Sequence, residues 1–272
     1  MQKPAARRIR KWITAILIIY VAGGLLIYFF QDKVLFRPEE LPPDHAYNFT
    51  IPFKEINLDV SAEKKIGIVQ FTVPDSVCKG VVLYFHGNRR NIERYARFAP
   101  YFTKNNYEVW MIDYPGYGKS TGDRTEAILY QDAYTLYQMA RDRFAKDSII
   151  VYGKSLGTGI ASQLAATRDC KRLILETPYY DFPSILRQYL PFYPASWLIK
   201  YRFPTHEYLP KVTAPITIFH GSEDGVIRYS NAKKLKPLLK KGDEFVTIRG
   251  GSHNDLYESP LTLQKLDSLL SR

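Results

Sequence analysis

The order of apolar and polar positions divides the chain into two unequal parts. Residues 12–30, WITAILIIYVAGGLLIYFF, run for 19 positions without a charge. At 1.5 Å rise per residue a helix of that length covers about 28 Å, close to the thickness of a bilayer's hydrocarbon layer. Trp12 at one end and Tyr28, Phe29 and Phe30 at the other suit the two interfaces. Beyond residue 53 the periods shorten. Residues 54–59 and 67–73 alternate as exposed antiparallel strands do, and 81–85 is a continuous apolar run, the pattern of a buried strand. A helix is predicted over 91–105, a strand over 108–112, a long helix over 124–143 and a strand over 148–152. A helix then follows the break at 153–157. Strands at 171–175, 215–219 and 244–248 and helices at 229–239 and 261–270 complete the pattern. Strands alternating with helices predict an α/β fold, a mostly parallel sheet with helices on both faces.

Between 177 and 214 this rhythm stops. The segment carries ten aromatic residues, among them Tyr179, Phe182, Phe192, Tyr193, Trp197 and Phe203, interspersed with prolines. It follows the strand 171–175 and so belongs at the same sheet edge as the break at 153–157. An aromatic cap over that edge is expected, and such an insertion also packs on a small core of its own. The Pro-rich stretch 31–53 is too short for a domain and too stiff for a long tether. The expected organisation is a basic tail at 1–11, a transmembrane anchor at 12–30, a linker at 31–53 and a folded domain at 54–272 containing the insertion.

Composition changes this picture little. Hydrophobic residues make up 46% and aromatics 14%, which excludes a disordered chain. The net charge of +11 would suit nucleic acid, but Lys3, Arg7, Arg8, Arg10 and Lys11 all precede the apolar run and the remaining excess is dispersed. The partner it implies is a membrane and not DNA or RNA. Only Lys33 and Arg37 follow the run closely, so the positive-inside bias places the N-terminus in the cytoplasm and the domain on the other side. A cleaved signal is disfavoured because Ala22, Gly23 and Gly24 are followed by further apolar positions. Two cysteines cannot make a metal site, and no metal or cofactor is expected. Cys78 and Cys170 precede strands expected to lie one strand apart, about 9 to 10 Å, which is beyond disulfide reach.

The chemistry concentrates at 148–168, SIIVYGKSLGTGIASQLAATR, which reads as strand, sharp turn and helix. Ser155 sits at the apex. A tight turn lifts a serine hydroxyl clear of the backbone, where a base can reach it, and demands near-absent side chains two positions either side, here Gly153 and Gly157. The helix behind it points free N–H groups toward a developing oxyanion, Leu156 first among them. A base and its orienting acid should then lie at other C-terminal strand ends. The strand 215–219 runs into HGSED, containing Asp224, and 244–248 into GGSH, containing His253. The loop HGN after 81–85 can supply a second oxyanion N–H, that of Asn88. Glu176 also follows a strand end and is an alternative acid. His86 and His220 precede glycines and read as structural hydrogen-bonders, Glu223 as solvated, and Lys154 as reaching a nearby carboxylate.

Taken together, YFHGN, DYPGYGKSTG, GKSLGTG, HGSEDGVI and GGSHNDL resemble the serine aminopeptidase-like hydrolase domain of membrane-anchored α/β-hydrolase-domain proteins, over roughly residues 50 to 270. The resemblance implies an α/β-hydrolase fold with Ser155 as nucleophile, His253 as base and Asp224 as acid. It also implies a lid formed by the insertion. The expected activity is hydrolysis of an ester or thioester of a small or lipid-like acyl group, through an acyl-enzyme. A peptidase of the serine aminopeptidase type and a catalytically silent binding module are the alternatives.

Overall fold

The architecture comes from a computed structural model, which describes residues 4–271; Lys3 of the basic cluster lies outside them. Helix α1 runs from Pro4 to Leu35, so the apolar stretch continues as helix in both directions. It leaves Ile16 64% and Ile19 71% exposed, unlike a core helix. Phe36, immediately after it, is buried in the main core. Arg37–Pro38 then pairs in parallel with Arg89–Arg90. The stretch expected as linker thus enters as the last turn of α1 and a segment laid against the domain, with Phe49 packed edge-on to Phe71 at 5.1 Å.

The domain opens with strands β1 (Phe53–Asp59), β2 (Lys65–Phe71) and β3 (Gly80–Phe85). The helix expected over 91–105 is two short pieces, α2 (Ile92–Ala96) and α3 (Pro100–Thr103). Pro100 has no N–H to continue the first piece and begins the second. Strand β4 (Tyr107–Ile112) leads to α4 (Glu126–Arg141), whose N-cap Thr125 accepts from the Ile128 N–H. Leu129, Ala133, Leu136 and Ala140 make its buried stripe at helical spacing. Strand β5 (Ile149–Lys154) turns directly into α5 (Leu156–Thr167), and β6 (Arg172–Glu176) follows.

The insertion forms α6 (Phe182–Tyr189), α7 (Ala195–Leu198) and α8 (Thr205–Tyr208). Strand β7 (Ile216–Gly221) comes next, then the single turn α9 (Tyr229–Ala232). The helix expected over 229–239 is only that turn, continued by a 3-10 segment holding Pro237. Strand β8 (Glu244–Ile248) and helix α10 (Pro260–Ser271) end the fold.

Eight strands form one sheet in the order β8-β7-β6-β5-β3-β4-β2-β1, antiparallel at β1/β2 and β2/β4 and parallel elsewhere. Side-chain alternation divides the core. Val81, Leu83 and Phe85 of β3 face the side of α4 and α5, and Val82 and Tyr84 face Phe98, Phe102 and Leu266. The insertion joins the first layer through Tyr179, Phe182, Tyr201 and Phe203. Cys78 and Cys170 are free thiols, and burial pushes the Cys170 thiol up to about 12. Because β3, β5, β6, β7 and β8 are parallel, the loops after them all emerge at one edge.

Candidate active site

Ser155 stands between β5 and α5 with φ 50° and ψ −115°, a conformation that an L-residue occupies at a cost of about 1–3 kcal/mol. The two glycines around it are dictated by close approach. A Cβ at Gly153 would lie 2.5 Å from the Gly157 carbonyl oxygen, and one at Gly157 only 2.0 Å from the Phe85 carbonyl oxygen. The turn is held from outside as well: the Ser155 N–H donates to the Glu176 carbonyl at 2.9 Å, and Thr158 Oγ1 donates to the Ser155 carbonyl at 2.6 Å. Ser155 is the N-cap residue of α5 but makes no side-chain cap, leaving its hydroxyl for other partners.

The hydroxyl faces His253. His253 Nε2 lies 2.9 Å from Ser155 Oγ and Nδ1 lies 2.7 Å from Asp224 Oδ2. The second oxygen of Asp224 accepts the N–H groups of Val226 and Ile227, both at 2.8 Å. Burial pushes the Asp224 carboxyl up, but the hydrogen bond and charge of His253 together with the Ile227 N–H outweigh it and hold it below the usual carboxylate range. An ionised carboxylate only accepts, so Nδ1 carries the ring proton and Nε2 is left to accept from the serine O–H. The loops bearing Asp224 and His253 are joined along their backbones. Ser222 N–H donates to the Ile248 carbonyl and Glu223 N–H to the Gly251 carbonyl, each at 2.9 Å, and Gly250 N–H donates to Ser222 Oγ at 2.8 Å. A Cβ at Gly221 would lie 2.2 Å from the Gly251 carbonyl oxygen, so only glycine permits this contact.

The chain as a whole is similar to known proteins. A family model described as "Serine aminopeptidase, S33" matches residues 76–208. The chain is similar to alpha/beta hydrolase domain-containing protein 17C of Xenopus tropicalis, with 31% identity over 193 residues, covering 70% of this chain and 61% of that protein. The Homo sapiens protein of the same name is 30% identical, with 57% of its length covered. The chain therefore spans about three fifths of the length of these relatives. Among solved structures, it is similar to an esterase of Pyrococcus furiosus (TM-score 0.66, 15% identity, covering 88% of this chain and 97% of that one). It is also similar to an alpha-beta hydrolase of Vibrio vulnificus (TM-score 0.65, 20% identity, 80% of each chain). The chain has the α/β-hydrolase fold.

The remaining polar groups around the site have other partners. Glu176 is buried and taken up by Lys154 Nζ and by Tyr152 Oη at 2.6 Å, and the latter also meets Tyr257 Oη at 3.0 Å. This network beneath the elbow was not legible beforehand beyond the expectation that Lys154 reaches a carboxylate. His86 Nε2 lies 3.1 Å from Asp113 Oδ1, and His220 Nε2 donates to the Ile227 carbonyl at 3.0 Å. Glu223 is exposed. Asn88 is fixed by three bonds, none of which uses its backbone N–H: Nδ2 donates to the Leu35 carbonyl at 2.7 Å, and its backbone carbonyl accepts from Arg37 N–H and Tyr117 Oη, both at 2.9 Å. Its loop abuts the serine, since a Cβ at Gly87 would lie 3.6 Å from the Ser155 Cβ. Among the described residues no group of three or more His, Cys, Asp and Glu is placed to hold a metal.

Proposed function

We propose that this protein is a single-pass, membrane-anchored serine hydrolase that cleaves a carboxylic ester or thioester. What carries the reading is the imidazole of His253, bridging Asp224 and Ser155 at 2.7 and 2.9 Å. Ser155 Oγ attacks the acyl carbonyl while His253 Nε2 takes its proton, and Asp224 stabilises the imidazolium that forms. The negative charge arising on the carbonyl oxygen is met by the N–H groups of Leu156 and Asn88. His253 then returns the proton to the departing alcohol or thiol, and water releases the acyl group by the reverse sequence. Removal of the serine oxygen should slow turnover by at least about 10³-fold.

Two observations favour an acyl ester over a peptide. The insertion offers large apolar surface, with Phe192 86% and Trp197 84% exposed. Glu176, the buried carboxylate beside the elbow, is committed to Lys154 and Tyr152 and is not free to hold a peptide's terminal ammonium. Anchoring is supported by Arg7–Leu35, 29 residues apolar enough to cross a bilayer and almost wholly exposed. Arg7, Arg8, Arg10 and Lys11 at its start favour a cytoplasmic N-terminus and a domain on the opposite side. A fluorophosphonate probe tests the chemistry: the wild-type protein should label and Ser155→Ala should not. A folded wild type that fails to label would refute the enzyme reading and leave the binding module. Protease access to the domain in intact cells tests orientation, and protection from external protease would reverse it. An ester series run beside an aminopeptidase substrate separates esterase from peptidase.

A further inference from the structure

The segment 190–199, LPFYPASWLI, is ten residues without a charge, bounded by Arg187 and Lys200. A run of this length is too short to span a bilayer and suits a buried core segment or one lying in a membrane interface. Here it is not in the core, because Phe192 and Trp197 are among the most exposed large side chains of the hydrolase. The segment packs instead along α1. Tyr193 stacks on Tyr20 with ring centroids 4.7 Å apart and planes 3° from parallel. Tyr20 Oη donates to the Phe192 carbonyl at 2.8 Å and Tyr193 Oη to the Tyr20 carbonyl at 3.2 Å. The Tyr193 ring fills a notch on the helix: a Cβ at Gly23 would lie 2.2 Å from its hydroxyl, and one at Gly24 3.5 Å from Cε1.

Further polar contacts between the two lie near the end of α1. Gln31 Nε2 donates to the Leu198 carbonyl at 3.1 Å, Lys200 N–H to Gln31 Oε1 at 2.7 Å, and Tyr201 Oη to Asp32 Oδ1 at 2.6 Å. Gln31 and Tyr20 are separated by about 17 Å along the helix axis, roughly half the hydrocarbon thickness of a bilayer. If the apolar part of α1 is in lipid, Phe192 and Tyr193 are there with it. The backbone is satisfied in part: Pro191 and Pro194 have no N–H, and the N–H groups of Tyr193, Trp197, Leu198 and Ile199 are bonded within the segment.

We infer that residues 190–199 enter the acyl region of the leaflet nearest the domain, seated on the Gly23–Gly24 notch of α1, with lipid chains covering Phe192 and Trp197. The inference rests on the membrane-anchored reading above and extends it to the site. Helix α6 leads from the lipid-facing segment back to the loop of Asp224, where Tyr189 Oη donates to the Gly225 and Val226 carbonyls at 3.0 and 2.7 Å. An acyl chain drawn from the leaflet would meet the hydrolase beside that loop.

The test uses the full chain in phosphatidylcholine nanodiscs, in a Cys78→Ser background, with an environment-sensitive fluorophore at Phe192→Cys or Trp197→Cys. Lipid-borne doxyl quenchers should lower emission at both sites at least about twofold, as at Ile18→Cys within α1, and leave Asp59→Cys unaffected. Gly23→Leu should reduce the quenching at 192 and not at 18. Emission at 192 and 197 matching that at 59 overturns the inference. If 18 is quenched in that case, anchoring survives, and if 18 is also unquenched, anchoring fails with it. Sites shielded from water yet unquenched by lipid would assign the surface to another protein chain and equally overturn the inference. A thermal melt of each labelled protein shows that it is folded, and no readout depends on Ser155.

Discussion

Substitution of Gly157 by alanine adds one carbon at the tightest backbone contact of the site. That carbon would lie 2.0 Å from the Phe85 carbonyl oxygen, 2.5 Å from its carbon and 2.8 Å from the His86 carbonyl oxygen. Carbon and oxygen in ordinary contact sit above 3 Å, so the start of α5 and the end of β3 must separate by about 1 Å. Both are main chain in a close-packed layer and neither can rotate away. Overpacking of this kind costs about 1–3 kcal/mol, or roughly 2–10 °C in melting temperature for a domain of this size. The displacement also parts the Leu156 N–H from the His86-Gly87-Asn88 loop, and a shift of about 1 Å in such geometry lowers turnover on the order of 10²-fold. Gly225→Ala is the control: it lies next to Asp224, and a Cβ there meets nothing within 4 Å. The assay is a thermal melt together with p-nitrophenyl ester turnover for both variants. Wild-type melting and turnover in Gly157→Ala would refute the claim that this contact sets the position of the serine.

Three other outcomes follow from the same contacts. Asp224→Asn keeps the side-chain shape but can donate to His253 Nδ1, which favours the wrong tautomer; esterase turnover should fall by about 10³- to 10⁴-fold with little change in melting. Lys154→Met leaves Glu176 buried without its cation and should destabilise by about 3–5 kcal/mol, whereas Lys154→Met with Glu176→Leu should recover most of the loss in urea unfolding; equal losses in both would sink the account. Burial holds the His220 imidazole below its ordinary range, so the unfolded chain binds this proton first as pH falls. Stability should decline from about pH 6.5 downward, with a slope of at most about 1.4 kcal/mol per pH unit from this residue. Urea midpoints that show the same pH dependence in His220→Asn would contradict this.

What could be read from sequence depended on range. The strand 81–85 announces itself because a strand buried on both faces is apolar throughout, and 108–112 does so through its apolar run 109–112 despite the buried Glu108; both appear within a residue or two. The elbow was legible because its geometry leaves room only for glycine at 153 and 157. Asp224 and His253 were legible as residues just past the ends of strands. Two of the misses are tertiary. Nothing local pairs Lys154 with Glu176; they are partners through the register of β5 against β6. The polar run Gln31-Asp32-Lys33 looked like a helix end, yet α1 continues because Leu198, Lys200 and Tyr201 satisfy Gln31 and Asp32. The helix expected over 91–105 ignored Pro100, a break that is local and visible in the sequence.

The backbone zipper between the loops of Asp224 and His253 has one more consequence. Carboxylate and imidazole ride on a single stiff piece, whereas the serine arrives on a separate turn braced against β3 and β6. The constellation therefore has one seam, between Ser155 and His253. Heat, denaturant or a distant core mutation that loosens the fold will open that seam first, and the hydroxyl will lose its proton acceptor while the imidazole is still correctly aligned. Inactivation would then precede unfolding, with the Asp224–His253 pair the last part of the site to come apart.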